Sequence, residues 1–204
     1  MQETTTRKIY NVQSMFYDRV AARIVCRRQS QAIDKMDIQA GHRILDLGVG
    51  TGLSLARYPN HCSVVGVDLS AGMLGKARLK VSRMGAEHIQ LVCGDAMHLP
   101  FAENQFDSVL VSHVISVVSD PVKLIDAIRR VVRPKGRIVI INHFQSTHRV
   151  VGMVEKLLCP LCERMGWKSD LSLHELLTRT RLNVDFRYKL EPLDLWETIF
   201  ATNA

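Results

Sequence analysis

Three glycines at alternate positions, Gly48, Gly50 and Gly52, follow the run Ile44, Leu45, Asp46, Leu47. An apolar run that ends in glycines, with helix-competent sequence from Leu53 to Arg57 next, predicts a buried strand turning sharply into a helix. Glycine removes the Cβ atoms from one side of such a turn, so a ligand can lie against bare backbone and the first helical N–H groups. Twenty residues past Gly48 a second apolar run, Val64, Val65, Gly66, Val67, ends in Asp68. A carboxylate at that strand end can accept both hydroxyls of a ribose. The spacing argues against two other nucleotide turns. A dinucleotide fingerprint would place its third glycine where Leu53 stands, and a P-loop would need Gly-Lys-Ser/Thr.

The elements that must position these residues are read from periodicity and punctuation. Residues 1–6 are polar, threonine-rich and expected to be unstructured. From Arg7 to about Met36 the sequence reads as helix, broken once near Asn11 to Ser14. Ile9, Val12, Phe16, Val20 and Ile24 recur at helical spacing, with Arg19, Arg23 and Arg27 as a neighbouring stripe. Apolar and basic faces side by side suit an interfacial membrane helix, and equally a lid helix whose arginines are solvated. A helix is expected from Ala71 to Met84, a strand over Ile89 to Cys93, and a fourth strand from Phe106 to His113. The apolar Val109, Leu110 and Val111 suit burial on both faces of a parallel sheet. Asp120-Pro121 opens the next helix as N-cap and first residue, Pro134 ends it, and a fifth strand runs from Arg137 to Ile141 before Asn142 and His143. His113 and His143 thus fall at the carboxyl ends of strands, where open α/β sheets bind ligands, although a lone histidine is as readily structural. This alternation predicts a doubly wound parallel sheet.

Beyond residue 146 the pattern changes. Val150, Val151, Val154, Leu157, Leu158, Leu161 and Met165 make an amphipathic helix within 147–166, flanked by Arg149, Lys156, Arg164 and Lys168. A second helix starts at Ser172, with Glu175 completing a capping box, so that a helical insertion covers 147–180. Leu182 to Tyr188 and Leu195 to Ala201 are expected to close the sheet as antiparallel strands. Residues 1–36 form the N-terminal amphipathic part and 37–204 the main domain.

With 204 residues, 47% hydrophobic and 23% charged, the chain suits one domain with a substantial core. No apolar stretch approaches a membrane span and no signal-peptide pattern is visible, so a cytoplasmic location is expected. Five cysteines, widely spaced, argue against a disulfide framework. Cys159-Pro160-Leu161-Cys162 lacks a second ligand pair for zinc and sits in an apolar helical repeat, which favours packing. No metal is expected. The net charge of +7, from 27 basic and 20 acidic residues, favours an acidic partner such as nucleic acid, an anionic membrane or a phosphate-bearing substrate.

Asp46-Leu47-Gly48-Val49-Gly50-Thr51-Gly52, then Gly66-Val67-Asp68-Leu69-Ser70, then Cys93-Gly94-Asp95-Ala96 resemble, in order, the three S-adenosylmethionine-binding motifs of class I methyltransferases. With Leu99-Pro100-Phe101, Phe106-Asp107 and Val132-Arg133-Pro134-Lys135-Gly136 the likeness covers roughly residues 40 to 142. It implies a Rossmann-like seven-stranded sheet with a C-terminal antiparallel strand. It also implies a cofactor site drawn from Asp46, Gly48, Gly50, Gly52, Asp68, Leu69, Met73, Asp95, Ala96 and His113. Met73 either covers the adenine or packs in the core; Asp95 and the backbone at Ala96 would meet the adenine amino group and ring.

Methyl transfer from a sulfonium requires mainly proximity and alignment, and a neutral amine can attack without prior oxyanion formation. Tyr17, His113 and His143 are the candidates to take the proton or orient the amine. Tyr10, Phe16-Tyr17-Asp18, the Leu47-Gly48-Val49-Gly50 form of the turn, and Pro160-Leu161 ahead of Met165-Gly166-Trp167-Lys168-Ser169 resemble bacterial phosphatidylethanolamine N-methyltransferases of the peripheral type. The resemblance implies a phospholipid substrate, an anionic membrane surface as partner at the inner face of the cytoplasmic membrane, and a monomer. Tyr17 would face the methylated ammonium and Arg149 the phosphate, with Lys168 and Arg187 as alternates, and Tyr10 is a further substrate-binding candidate. A quinone-ring or small-metabolite acceptor, and a noncatalytic membrane binder, are the rival readings. Nucleic acid is not the expected substrate: Ser112-His113-Val114-Ile115 stands where an Asn/Asp-Pro-Pro-aromatic motif would.

Overall fold

The computed structural model describes residues 21–144, 171–191, 194 and 196–204. Helix α1 (Ala21–Asp34) leads into strand β1 (Arg43–Leu47), a 3₁₀ turn (Leu55–Arg57), β2 (Ser63–Asp68), α2 (Ala71–Met84), β3 (Ile89–Cys93) and β4 (Phe106–Ser112). Helix α3 (Pro121–Val131), β5 (Val132–His143), α4 (Leu173–Thr180), β6 (Asn183–Tyr188) and β7 (Trp196–Thr202) follow. The seven strands form one sheet in the order β3-β2-β1-β4-β5-β7-β6, parallel from β3 to β5, with β7 antiparallel to both β5 and β6. The expected sheet and its antiparallel closing pair are both present.

Two cores follow from the two-residue period of the strands. Leu45, Leu47, Val109, Val111, Ile138 and Ile140 face one side, where Leu124, Ile125 and Ile128 of α3 and Leu173 and Leu176 of α4 meet them. Ile44, Leu110, Val139 and Ile141 face the other, against Ala32, Ile33 and Met36 around α1 and Leu74 and Ala77 of α2. Burial of each such aliphatic chain contributes about 1.5–3 kcal/mol, so a one-residue slip of any central strand is strongly disfavoured.

The helix ends obey their local sequence. Asp120 accepts from the N–H groups of Val122 (3.0 Å) and Lys123 (3.1 Å), with Pro121 as the first helical residue. Ser70 caps α2 by accepting from Met73 N at 3.3 Å, and Ser172 caps α4 by accepting from Glu175 N at 3.3 Å. β5 begins at Val132, earlier than the expected Arg137, because pairing with β4 exists on both sides of the Pro134-Lys135-Gly136 turn; the register jumps from Val132 to Arg137.

The helix expected at Leu53 to Arg57 is absent; only the 3₁₀ turn Leu55–Arg57 forms. Six residues separate Gly52 from Pro59. Proline drives Tyr58 to extended backbone (ψ 131), and so short a segment does not recover the cost of helix nucleation. Ser54 leaves no side-chain cap and turns its hydroxyl to Asp46 instead. The glycine turn therefore presents no helix N-terminus to a ligand.

Candidate active site

The turn after β1 is held from within by its neighbours. Val67 O accepts from Gly48 N (2.8 Å) and Val49 N (3.2 Å), which ties the turn to β2. All three glycines take positive φ, at 74°, 55° and 76° for Gly48, Gly50 and Gly52. Their bare sides do not all serve a ligand, which corrects the sequence expectation. A Cβ on Gly48 would overlap Val114 Cγ2, and one on Gly52 would sit 2.8 Å from Leu55 Cδ1 and 3.1 Å from Ala77 Cβ. Only Gly50 is open, its nearest side-chain atom being Met73 Sδ at 3.8 Å. Two of the glycines thus admit the protein's own side chains, and the middle one leaves room for a bound molecule.

Asp46 is fully buried in β1. Its Oδ2 accepts from Ser54 Oγ (2.7 Å) and Tyr58 OH (3.0 Å), while Oδ1 has no hydrogen-bond partner. Burial raises its pKa to about 6 against the two hydrogen bonds, and the Asp68 charge adds to the rise. Asp68, at the end of β2, accepts from Gly50 N through Oδ2 and from Ser70 N through Oδ1, both at 2.8 Å; burial raises its pKa. Each of its oxygens keeps a lone pair for a further donor. Beside it Leu69 is 51% exposed although large and apolar. Asp95 is bound into its own turn, Oδ1 accepting from Met97 N (2.9 Å) and Oδ2 pairing with His98 Nδ1 (2.8 Å). Ala96 next to it packs at the edge of the core.

A second group of side chains lies at the carboxyl ends of β4 and β5. His113, one residue past β4, takes φ 60° and donates its N–H to Ile141 O at 2.8 Å. Burial, and then the Arg28 charge, lower its pKa to about 4, so the imidazole is neutral. His113 and His143 both meet Trp196 edge-on, at centroid distances of 6.3 and 6.2 Å. Arg28 lies over the Trp196 ring at 4.6 Å and forms a buried pair with Asp194, Nη2 to Oδ1 at 2.5 Å and Nε to Oδ2 at 3.2 Å. Gln29 Nε2 donates to Ser112 Oγ at 3.0 Å.

Arg28, Gln29, Asp194, Trp196, Ser54 and Tyr58 were not read as site residues from the sequence. Arg28 left one signal: it continues the Ile24 stripe by four residues, and Ala32 and Met36, on the same line, are buried. An arginine in a core-facing line must have a partner. That partner, Asp194, is 166 residues away and no local pattern points to it.

Arg187 lies on the edge strand β6, beside β7, and pairs at 3.3 Å with Glu197, the residue after Trp196. Tyr10, Tyr17, Arg149 and Lys168, the arginines at 19 and 23, the Cys159/Cys162 pair and the expected helix at 147–166 lie outside the residues whose side chains are described.

A methyltransferase-domain family model matches residues 45–140. The chain is also 38% identical, over 153 residues, to a phosphatidylethanolamine N-methyltransferase from Cereibacter sphaeroides, with 74% of this chain and 75% of that protein aligned. The chain belongs to the class I S-adenosylmethionine-dependent methyltransferases. Demethylmenaquinone methyltransferases are also similar: that of Paenarthrobacter aurescens is 33% identical over 80% of this chain and 60% of its own length. Among solved structures, a SAM-dependent methyltransferase from Aquifex aeolicus superposes with a TM-score of 0.73 at 16% identity, covering 95% of this chain and 98% of that one. A geranyl diphosphate C-methyltransferase from Streptomyces coelicolor gives 0.69 at 16% identity, over 87% and 76%.

The cofactor of this methyltransferase is S-adenosylmethionine, and the turn fits it. The orphaned Asp46 Oδ1 is an acceptor awaiting a cationic donor such as the methionine ammonium, directly or through water. Gly50 leaves backbone open, Asp68 offers lone pairs to a ribose diol, and exposed Leu69 supplies an apolar surface. Among the described residues no cluster of His, Cys, Asp or Glu could hold a metal ion.

Proposed function

We propose that this methyltransferase N-methylates the ethanolamine headgroup of phosphatidylethanolamine and its methylated intermediates, towards phosphatidylcholine, at the inner face of the cytoplasmic membrane. The reading rests on the position of His113 at the end of β4, against Trp196 and the Arg28–Asp194 pair. With its pKa lowered to about 4, the His113 imidazole accepts a hydrogen bond but is too weak a base to generate an oxyanion near neutral pH. The carboxylate in the same group, Asp194, is occupied by Arg28. An amine acceptor asks for no stronger base, since its neutral form already carries the attacking lone pair. The similarity to the Cereibacter sphaeroides enzyme supports the same acceptor.

When bound, S-adenosylmethionine supplies a methyl group activated by its sulfonium. His113 and His143 orient the acceptor at the strand ends, both resting edge-on against Trp196. Tyr10 and Tyr17 provide aromatic faces for the methylated ammonium, and Arg149 and Lys168 bind the lipid phosphate. The basic stripe of the N-terminal helix meets the anionic bilayer; of it, Arg27 is exposed and loosely paired with Glu191 at 3.9 Å. No helix among the described residues is long and apolar enough to cross a membrane. The enzyme acts as a monomer and uses neither nucleic acid nor a metal.

The test is transfer of labelled methyl from S-adenosylmethionine into liposomes containing phosphatidylethanolamine, with products separated by headgroup. Label in mono-, di- or trimethylated lipid is the expected result. Absence of label, with label instead entering reduced demethylmenaquinone, would replace the amine by a quinone acceptor, in line with the demethylmenaquinone methyltransferase relatives.

A further inference from the structure

Helix α1 carries two polar side chains into the protein, Arg28 at 7% and Gln29 at 5% exposure. Three buried polar atoms around them have no hydrogen-bond partner: Arg28 Nη1, Gln29 Oε1 and His113 Nε2. These belong to one neighbourhood. Gln29 is bonded to Ser112, the residue before His113, and Arg28 stacks on the indole that His113 meets edge-on. With Gln29 Nε2 donating to Ser112 Oγ, the free end of the amide is its oxygen, an acceptor. An unsatisfied buried polar atom costs about 1–3 kcal/mol, so three together mark a place that something else completes.

The same strand end abuts the cofactor turn. A Cβ on Gly48 would meet Val114 Cγ2 and lie 3.0 Å from Ser112 O, so the backbone on either side of His113 rests against that turn. The strand end that carries His113 thus adjoins the cofactor turn, the end of the sheet at which the acceptor of a methyl transfer belongs.

We propose that Gln29, His113 and Arg28 form the acceptor-binding pocket, in which an uncharged N–H or O–H group of the acceptor donates to Gln29 Oε1 and His113 Nε2 while Arg28 Nη1 donates to an oxygen of the same molecule. An amine held by its own hydrogens keeps its lone pair free for the methyl carbon. The guanidinium beside it disfavours a protonated, non-nucleophilic amine, by the same repulsion that helps to keep His113 uncharged. A primary amine brings two N–H groups to these acceptors, a monomethylated amine one, and a dimethylated amine none. The pocket thus acts on the early methylations and drops out of the last. The inference rests on the methyltransferase reading of the site and, for its lipid form, on the acceptor proposed above.

The experiment compares the full-length wild type with Gln29→Leu on phosphatidylglycerol vesicles carrying phosphatidylethanolamine, its monomethyl or its dimethyl derivative. Loss of one hydrogen bond predicts a kcat/KM roughly tenfold lower on the unmethylated lipid and unchanged within about twofold on the dimethyl lipid. Affinity for S-adenosylhomocysteine should not change. Equal losses on all three lipids, or a parallel loss of cofactor affinity, would make Gln29 a structural residue and overturn the pocket. A second readout does not depend on turnover. With S-adenosylhomocysteine bound, the ¹⁵N signal of the His113 ring, assigned through His113→Gln, is followed as lysophosphatidylethanolamine or reduced demethylmenaquinone is added. A shift with either, reduced in Gln29→Leu, supports the pocket, and a shift with the quinol alone would retire the lipid acceptor while keeping the pocket. No shift with either would show that the three atoms hold only water.

Discussion

Asp46→Asn tests whether burial of one carboxylate in β1 governs both stability and cofactor binding. Asp46 goes from 3.8 to about 6 because it is buried, with Ser54 and Tyr58 recovering only part of the cost. A shift of about two pH units corresponds to about 3 kcal/mol. Since the folded pKa lies above the unfolded one, the folded state binds the proton more tightly. This contribution to stability is complete below about pH 4 and is lost as pH rises through about 6. Asparagine fills the same space and still accepts from Ser54 and Tyr58, but it does not titrate. Urea unfolding of the cofactor-free proteins at pH 4, 5, 6 and 7 should therefore show the stability of Asp46→Asn relative to wild type improving by about 2–2.5 kcal/mol across the series. Titrating groups that do not interact with Asp46 cancel in this difference. Cofactor affinity should move the opposite way. The ammonium of S-adenosylmethionine favours ionised Asp46, so the wild type should bind more tightly as pH rises through about 6 and the variant should not. A stability difference constant to within about 1 kcal/mol over the series would refute the burial argument.

Asp68→Ala removes the acceptor of Gly50 N and Ser70 N together with the expected ribose contact, and should weaken S-adenosylmethionine binding at least about thirtyfold in a protein that still unfolds cooperatively; calorimetric titration checks this, and undiminished affinity would remove Asp68 from the site. Arg28→Met strands Asp194 as an unpaired buried charge and should cost about 3–5 kcal/mol, more than half of it recovered in Arg28→Met/Asp194→Asn, as read by urea unfolding. Gly48→Ala combines a φ of 74° with overlap on Val114, and should lower the unfolding midpoint, with only part of the loss recovered when Val114 is trimmed to alanine in the same chain, because the positive φ and the close Ser112 carbonyl remain. Replacing Arg19, Arg23 and Arg27 with glutamine should weaken binding to anionic vesicles in flotation assays, most clearly at low salt; unchanged binding there would leave the stripe a solvated face.

Much of the fold was legible because its signals are local. Two-residue alternation in Ile44 to Leu47 and Val109 to Val111, the Asp120-Pro121 and Ser172/Glu175 caps, and the Pro134-Lys135-Gly136 turn each act within a few residues. The family motifs were legible for the same reason, since a cofactor turn is a short continuous stretch and its matching carboxylate follows at the end of the next strand. The segment after Gly52 misled because helix propensity is local while Pro59, and the recruitment of Ser54 by Asp46, decided against a helix.

The sequence by itself determined a doubly wound sheet, a glycine turn with Asp68 opposite it, and histidines at two strand ends. Only the tertiary structure decided that Gly48 and Gly52 admit Val114, Leu55 and Ala77, and that Arg187 on the edge strand pairs with Glu197. It alone also decided that Arg28, Asp194, Trp196 and His113 share one site. The physical reason is that periodicity and capping are set by near neighbours along the chain, whereas desolvation and charge pairing depend on what is near in space. For Arg28 and Asp194 those two kinds of nearness differ by 166 residues.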